Sequence, residues 1–331
     1  MKLKLSILDQ SPIIEGGTAE LALKNSIELA DLAERLGYHS ILYSEHHGVK
    51  AYGSSSPELL AAVVLSQTKR IKVGTGGIML RNYSAFKIAE WAKMLITLFP
   101  DRFILGLGKA PGGLKDAVMA LNGNKPPVLS DLNKKLEEII DYIKEQDFIY
   151  EGLFAQPVHP AIFPEIFWLG SGINSAKEAA NKGIGYSMAD FISDGSQGEV
   201  HKVYRESFNQ YGYTNKMTFQ VALSVSVSEN IEKAKKNAYG MVYQFMQSRK
   251  LLAPEYLLPA SEVEKLIEND ENKSLFYSLL DRVIIGTPDT IGLHLKRKAE
   301  QHETNDLLLL CNMFNEDDRL FTYKSIIHGI N

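Results

Sequence analysis

Lys69-Arg-Ile-Lys-Val-Gly-Thr-Gly-Gly-Ile-Met-Leu80, a helical run, and then Asp101-Arg-Phe-Ile-Leu-Gly-Leu-Gly-Lys-Ala-Pro-Gly-Gly113 form the stretch whose reading decides the fold. Two short apolar strands, Ile71 to Gly74 and Phe103 to Leu107, each run straight into glycine. Between them Ala85, Ile88, Ala89, Ala92, Leu95 and Phe99 recur at the spacing of one helical face. A strand–helix–strand unit of this kind requires parallel strands joined by a right-handed crossover. Both glycine clusters then sit at the carboxyl edge of the sheet, where open α/β sheets and barrels bind their ligands. Glycine there lets a flat ligand lie against bare backbone. Either cluster alone reads equally as an ordinary strand-end turn; two at matched positions favour a ligand.

The same alternation extends in both directions. Upstream, Leu3 to Leu8 reads as a first buried strand, and a helix runs from about Thr18 to Leu36, with Gly37 as its stop. Ser40 to Tyr43 is a second strand leading into Glu45-His46-His47, and Ser56-Pro57-Glu58 opens the next helix with a capping serine. Downstream, the pattern loosens after Gly113, and a clear amphipathic helix returns at Leu132, Leu136, Ile139, Ile140 and Ile143. Ile166 to Leu169, Ile184 to Met188 and Phe219 to Val227 are the fifth, sixth and seventh strands. Residues 229–281 read as a charged helical insertion, Ile284 to Asp289 opens another helix, and Leu307 to Leu310 is the final strand. The expected architecture is α/β: one (β/α)8 parallel barrel spanning 1–331, with the insertion before its last strand. A doubly wound sheet is the alternative.

Composition narrows the function. With 36 basic and 40 acidic residues and a formal net charge of −4, the chain has no footprint for nucleic acid. A single cysteine, Cys311, excludes an internal disulfide and a cysteine-built metal site. The N-terminal apolar stretch is too short for a signal peptide and no segment approaches a membrane span. A soluble cytoplasmic protein is expected, and assembly into a homo-oligomer stays open.

Three strand ends carry residues suited to chemistry. Glu45-His46-His47 follows the second strand, and the two-residue alternation turns only one histidine towards the barrel mouth. Histidine serves general acid–base work near neutral pH. The pair is adjacent rather than spaced as a helical zinc pair, and no third ligand is visible, so a metal is not expected; a structural histidine pair is the other reading. Gly170 to Ser175 is a strand-to-helix turn whose free amides and positive dipole end suit an anion or phosphate, although Asn174 or Ser175 can equally be a plain cap. Lys109 is a cation at the same edge, or a solvated surface charge.

Taken together, Glu45-His46-His47, Val73-Gly-Thr-Gly-Gly-Ile-Met-Leu80, Arg102-Phe-Ile-Leu-Gly-Leu-Gly-Lys-Ala-Pro-Gly112, Trp168-Leu-Gly-Ser171 and Ile285-Gly-Thr-Pro-Asp289 resemble the bacterial luciferase-like flavin monooxygenases, most closely their non-luminescent branch. The resemblance implies a TIM barrel binding FMN, reduced by a separate flavin reductase, that uses dioxygen to oxidise a small organic substrate. It points to His46 as the catalytic histidine. It also points to Gly76 and Gly77, joined by a cis peptide, as the bed for the isoalloxazine ring. Lys109, Ser171, Gly172 and Ser175 are its implied phosphate contacts. A deazaflavin-dependent hydride transferase and a flavin-binding protein without turnover are the alternatives. Luminous members carry a reactive cysteine where this chain has Gly108, so light emission is not implied. Lys109 stands where arginine is usual, and a second phosphate arginine of luciferase falls near Asn133; both changes weaken the implied hold on phosphate.

Overall fold

The protein is described by a computed structural model covering residues 2–127, 132–146, 150–193, 197–250, 252–253 and 255–330. One sheet contains β1 (Lys4–Asp9), β2 (Ser40–Tyr43), β3 (Lys72–Thr75), β4 (Ile78–Met79), β5 (Phe103–Gly108), β6 (Glu165–Gly170), β7 (Gly185–Ala189), β8 (Phe219–Val227), β9 (Ile284–Gly286) and β10 (Asp306–Leu310). All its pairings are parallel. β10 pairs with β1 on one side and β8 on the other, which closes an eight-stranded barrel in the order β1-β2-β3-β5-β6-β7-β8-β10. A doubly wound sheet has two free edges, and this ring has none.

Two apolar layers hold the barrel. Along β1, Leu5 and Ile7 face outward into the helix layer, while Leu8 joins Leu42, Ile104, Phe167 and Leu308 inside. This is the period-two alternation of a strand buried on both faces. Each such side chain contributes roughly 1.5–3 kcal/mol by leaving water. The first helix shows how local signals set the boundaries. Thr18 accepts from the Leu21 amide at its start, and Gly37 ends it at φ 82°, a left-handed angle that favours glycine.

Several local expectations differ from what the fold shows. Ser56 makes no side-chain cap; its backbone carbonyl accepts from Leu59 and Leu60 instead. A short helix, Lys115–Leu121, lies in the stretch that looked patternless, because Val118 alone is buried and one buried residue leaves no periodicity to read. The third strand is broken: β3 pairs with the lower half of β5, and β4 resumes on its upper half at Ile78↔Leu107. Across the break Thr75 Oγ1 donates to the Gly106 carbonyl at 2.8 Å and accepts from the Gly106 amide at 3.0 Å, standing in for the missing ladder bonds. Any side chain at Gly106 would run into the Thr75 carbonyl. The Gly76–Gly77 peptide in this break is cis.

β8 is long enough to serve three partners, β7 along Phe219–Ala222, β10 along Gln220–Ser224 and β9 along Val225–Val227. Between β8 and β9 lie the helices Ile231–Asn237, Tyr239–Arg249, Ala260–Glu268 and Lys273–Leu280. Their Val242, Met246 and Phe276 merge with the inward-facing barrel residues into one apolar cluster. Reciprocal backbone bonds between Ile13, Glu15 and Leu257 tie this unit to the loop after β1, and so to the carboxyl mouth.

Candidate functional site

A cavity of about 1300 Å³ opens at that mouth, with walls contributed by the strand ends and by the segment around Ser248, Leu252 and Ala253. Small-molecule sites usually enclose about 300–1,000 Å³. The space here is large enough for a flavin-sized group with a substrate beside it. His46, Gly76, Lys109, Ser171, Gly172 and Ser175 all line it. Barrel closure thus brings together residues drawn from four separate strand ends.

β2 ends at Tyr43, so Ser44 to His47 belong to the loop beyond it and not to the strand. The loop is pinned on both sides: the His46 amide donates to Ser54, and the His47 amide to Gly112. His46 Nδ1 lies 3.1 Å from Ser44 Oγ, and its ring stacks on Tyr52 with centroids 3.9 Å apart. Nε2 has no protein partner among the described residues and is left for the cavity. Burial first, and repulsion from His47 second, push the imidazole down to about 4. It is therefore neutral at physiological pH, with one ring nitrogen free of a proton, although the same burial makes it a weaker base than a free imidazole.

His47 does not line the cavity and is held by polar partners instead. Its Nε2 sits 2.8 Å from Glu45 Oε1 and 3.4 Å from the Tyr83 hydroxyl. The buried Glu45 carboxylate also accepts from the Met79 amide and from Asn82 Nδ2, each at 3.0 Å. It thereby ties the histidine loop to the broken third strand. Neither this role nor the stacking of Tyr52 was singled out from the sequence.

Gly76 reaches the cavity floor, where an added Cβ would meet the Leu8 and Leu42 side chains at 2.8 and 2.9 Å. Gly77 does not line the cavity. It packs on β5, where its Cβ would lie 2.7 Å from the Gly106 carbonyl oxygen, because pairing with β5 resumes at the next residue. Ser175 lines the wall, but its hydroxyl is turned into the loop, bonded to the Gly172 carbonyl and the Tyr186 hydroxyl at 2.9 Å each.

At the other end, the helix Ile173–Lys182 starts at Gly172 without any side-chain cap. Its first-turn amides have no acceptor within the helix and open towards the cavity. Lys109 stands beside them, with Nζ 2.6 Å from Glu178 Oε2 and 5.7 Å from the centroid of the Trp168 ring. Glu178 also accepts from Trp168 Nε1 at 3.1 Å and from Asn133 Nδ2 at 3.2 Å. These donors hold its carboxyl below the usual range despite partial burial. Asn133 is thus a neutral neighbour of Glu178, not a cation at the cavity.

The donor set fits a flavin mononucleotide. Free helix amides, the Ser171 hydroxyl and one ammonium suit a phosphate at one end, and an apolar floor around Gly76, Leu8 and Leu308 suits a planar ring at the other. Among the described residues no cluster of histidine, cysteine or carboxylate side chains could hold a metal ion, and no helix is long and apolar enough to cross a membrane.

A closed parallel barrel whose mouth-side cavity joins a histidine to an anion-ready helix start is suited to binding a small molecule. Residues 3–302 match the family model for luciferase-like monooxygenases, and the chain belongs to that family of oxidoreductases. The uncharacterized protein YceB of Bacillus subtilis is 32% identical, over 97% of this chain and 98% of its own. An N-acetyl-S-alkylcysteine monooxygenase of the same organism is 30% identical, over 99% and 98%. Among solved structures, apo-MsnO8 superposes with a TM-score of 0.89 at 28% identity, covering 99% of this chain and 98% of that one. Two more distant structures share the fold at TM-score 0.70. One is the oxygenating constituent of 3,6-diketocamphane monooxygenase of Pseudomonas putida in complex with FMN, at 20% identity and covering 100% and 97%. The other is an F420-dependent secondary alcohol dehydrogenase, at 15% and covering 100% of each chain. Of these two proteins, one holds FMN and the other depends on F420.

Proposed function

We infer that this chain is a flavin-dependent monooxygenase, taking reduced FMN from a separate flavin reductase and using it with dioxygen to oxidise a small organic substrate. The observation that carries the reading is the single cavity lined at one end by Lys109, Ser171 and Gly172 and at the other by Gly76 and His46. When bound, reduced FMN supplies the electrons with which dioxygen is activated. The chain's own residues do the rest. The helix start, the Ser171 hydroxyl and Lys109 hold the phosphate, and Gly76 lets the ring lie close to the backbone. His46, held by Ser44 and Tyr52, accepts a proton at Nε2. Phe191, Ile192 and Leu252 wall the remaining space with apolar surface, which excludes water and favours a substrate with an apolar body.

Hydride transfer with a deazaflavin is the second reading, because an F420-dependent dehydrogenase shares the fold. Titration of the anaerobic protein with reduced FMN and with reduced F420 separates the two. Tight binding of reduced FMN, followed by oxygen-dependent turnover on admission of air, is expected. Preference for F420, with no oxygen consumption beyond free-flavin autoxidation, overturns the reading.

A further inference from the structure

We propose that Glu178 sets how strongly this site discriminates for the flavin phosphate, by holding the Lys109 ammonium in an ion pair that the phosphate must share. The inference rests on the flavin reading above. Lys109 and Lys115 both line the cavity, and it is the Lys109 Nζ that lies 2.6 Å from Glu178 Oε2, on the helix that starts at Gly172. Glu178 itself does not line the cavity; it sits behind the wall, a turn and a half into the helix Ile173–Lys182. Trp168 Nε1 and Asn133 Nδ2 complete three donors on this carboxylate, so it is well fixed without Lys109 alone.

The consequence follows from charge. An ammonium has three N–H donors, and one faces Glu178, leaving two for an incoming oxyanion. The phosphate therefore meets a cation already neutralised by a carboxylate on its far side. Two unit charges about 6 Å apart in a half-wet site repel enough to change binding by on the order of tenfold. Phosphate-bearing flavin is thus favoured over its phosphate-free form only modestly. This suits a flavin that arrives reduced, reacts and leaves, rather than one held permanently. Riboflavin has the same ring without the phosphate and does not meet this pair, so it is the internal reference.

The experiment is anaerobic titration of reduced FMN and reduced riboflavin, read by quenching of tryptophan fluorescence, for which Trp168 lies beside the pair. In Glu178→Gln, which keeps the shape and removes the charge, the ratio of FMN to riboflavin affinity should rise about tenfold. Lys109→Ala should lower the ratio, and adding Glu178→Gln to Lys109→Ala should recover part of that loss, because the carboxylate left bare by Lys109→Ala repels the phosphate directly. Riboflavin affinity measures any damage to the fold, since such damage weakens both flavins alike. An unchanged or lowered ratio in Glu178→Gln overturns the proposal while the flavin reading stands. Failure of the wild-type protein to bind either flavin overturns the reading itself.

Discussion

At the scale of single residues, the two histidines divide the work according to their partners. His46 offers Nε2 to the cavity and is held by Ser44 and Tyr52, whereas His47 donates to the buried Glu45. His46→Ala should keep the fold and flavin binding but slow product formation by ~10²–10⁴-fold, the usual loss for an acid–base group. His47→Ala leaves a buried carboxylate one donor short and should cost roughly 1–3 kcal/mol of stability with the smaller effect on turnover. Product assays and urea denaturation of both variants check this; the reverse pattern would exchange the two roles. The Glu45-His46-His47 run was legible as a strand-end motif, whereas His46 within it was singled out only by the family resemblance. The role of Glu45 was not, since its partners Met79 and Asn82 come from another strand end.

At the scale of elements, the last helix locks the mouth of the barrel. Arg319, on the helix Glu316–Ile330, is buried and places Nη2 2.7 Å from Asp9 Oδ1 at the end of β1. Its Nε donates to the Cys311 carbonyl just beyond β10, at 2.9 Å. One side chain therefore joins the two strands whose pairing closes the ring. Removing one partner of a buried ion pair strands the other charge, so Arg319→Met should destabilise the protein by about 3–5 kcal/mol. Adding Asp9→Asn should restore part of that loss, because no bare carboxylate remains. Chemical denaturation of the single and double variants measures both; additive losses would show that the pair is not coupled. The eight barrel strands and the main helices were readable from short apolar runs and helical spacing, but β9 was not, because its three residues read as the opening of a helix. The break between β3 and β4 was not, because it depends on how Thr75 meets Gly106 on the neighbouring strand.

At the scale of the whole molecule, buried histidines set the acid limit of stability. Burial is the leading cause for each: His39 and His46 are lowered to about 4, and His201 and His302 are lowered as well. In the unfolded chain each titrates near 6.5. Between about 4 and 6.5 the unfolded state binds more protons, so stability rises with pH across that window and is lost as pH falls through it. The midpoint of urea denaturation should climb from pH 4.5 to 6.5 and then level off; a flat profile would show that these rings titrate normally when folded. The alternation of strand and helix, the glycine-ended strands and the motifs at their ends were determined by the sequence itself, because each rests on residues near one another along the chain. Only the tertiary structure decided that Gly77 turns away from the cavity, that Ser175 spends its hydroxyl on its own loop, and that Lys109 carries a carboxylate partner. Glu178 lies 69 residues from Lys109 on a helix whose spacing reads as an ordinary solvated face. Nothing local marks it, because an ion pair depends on distance in space, and that distance is set only when the barrel closes.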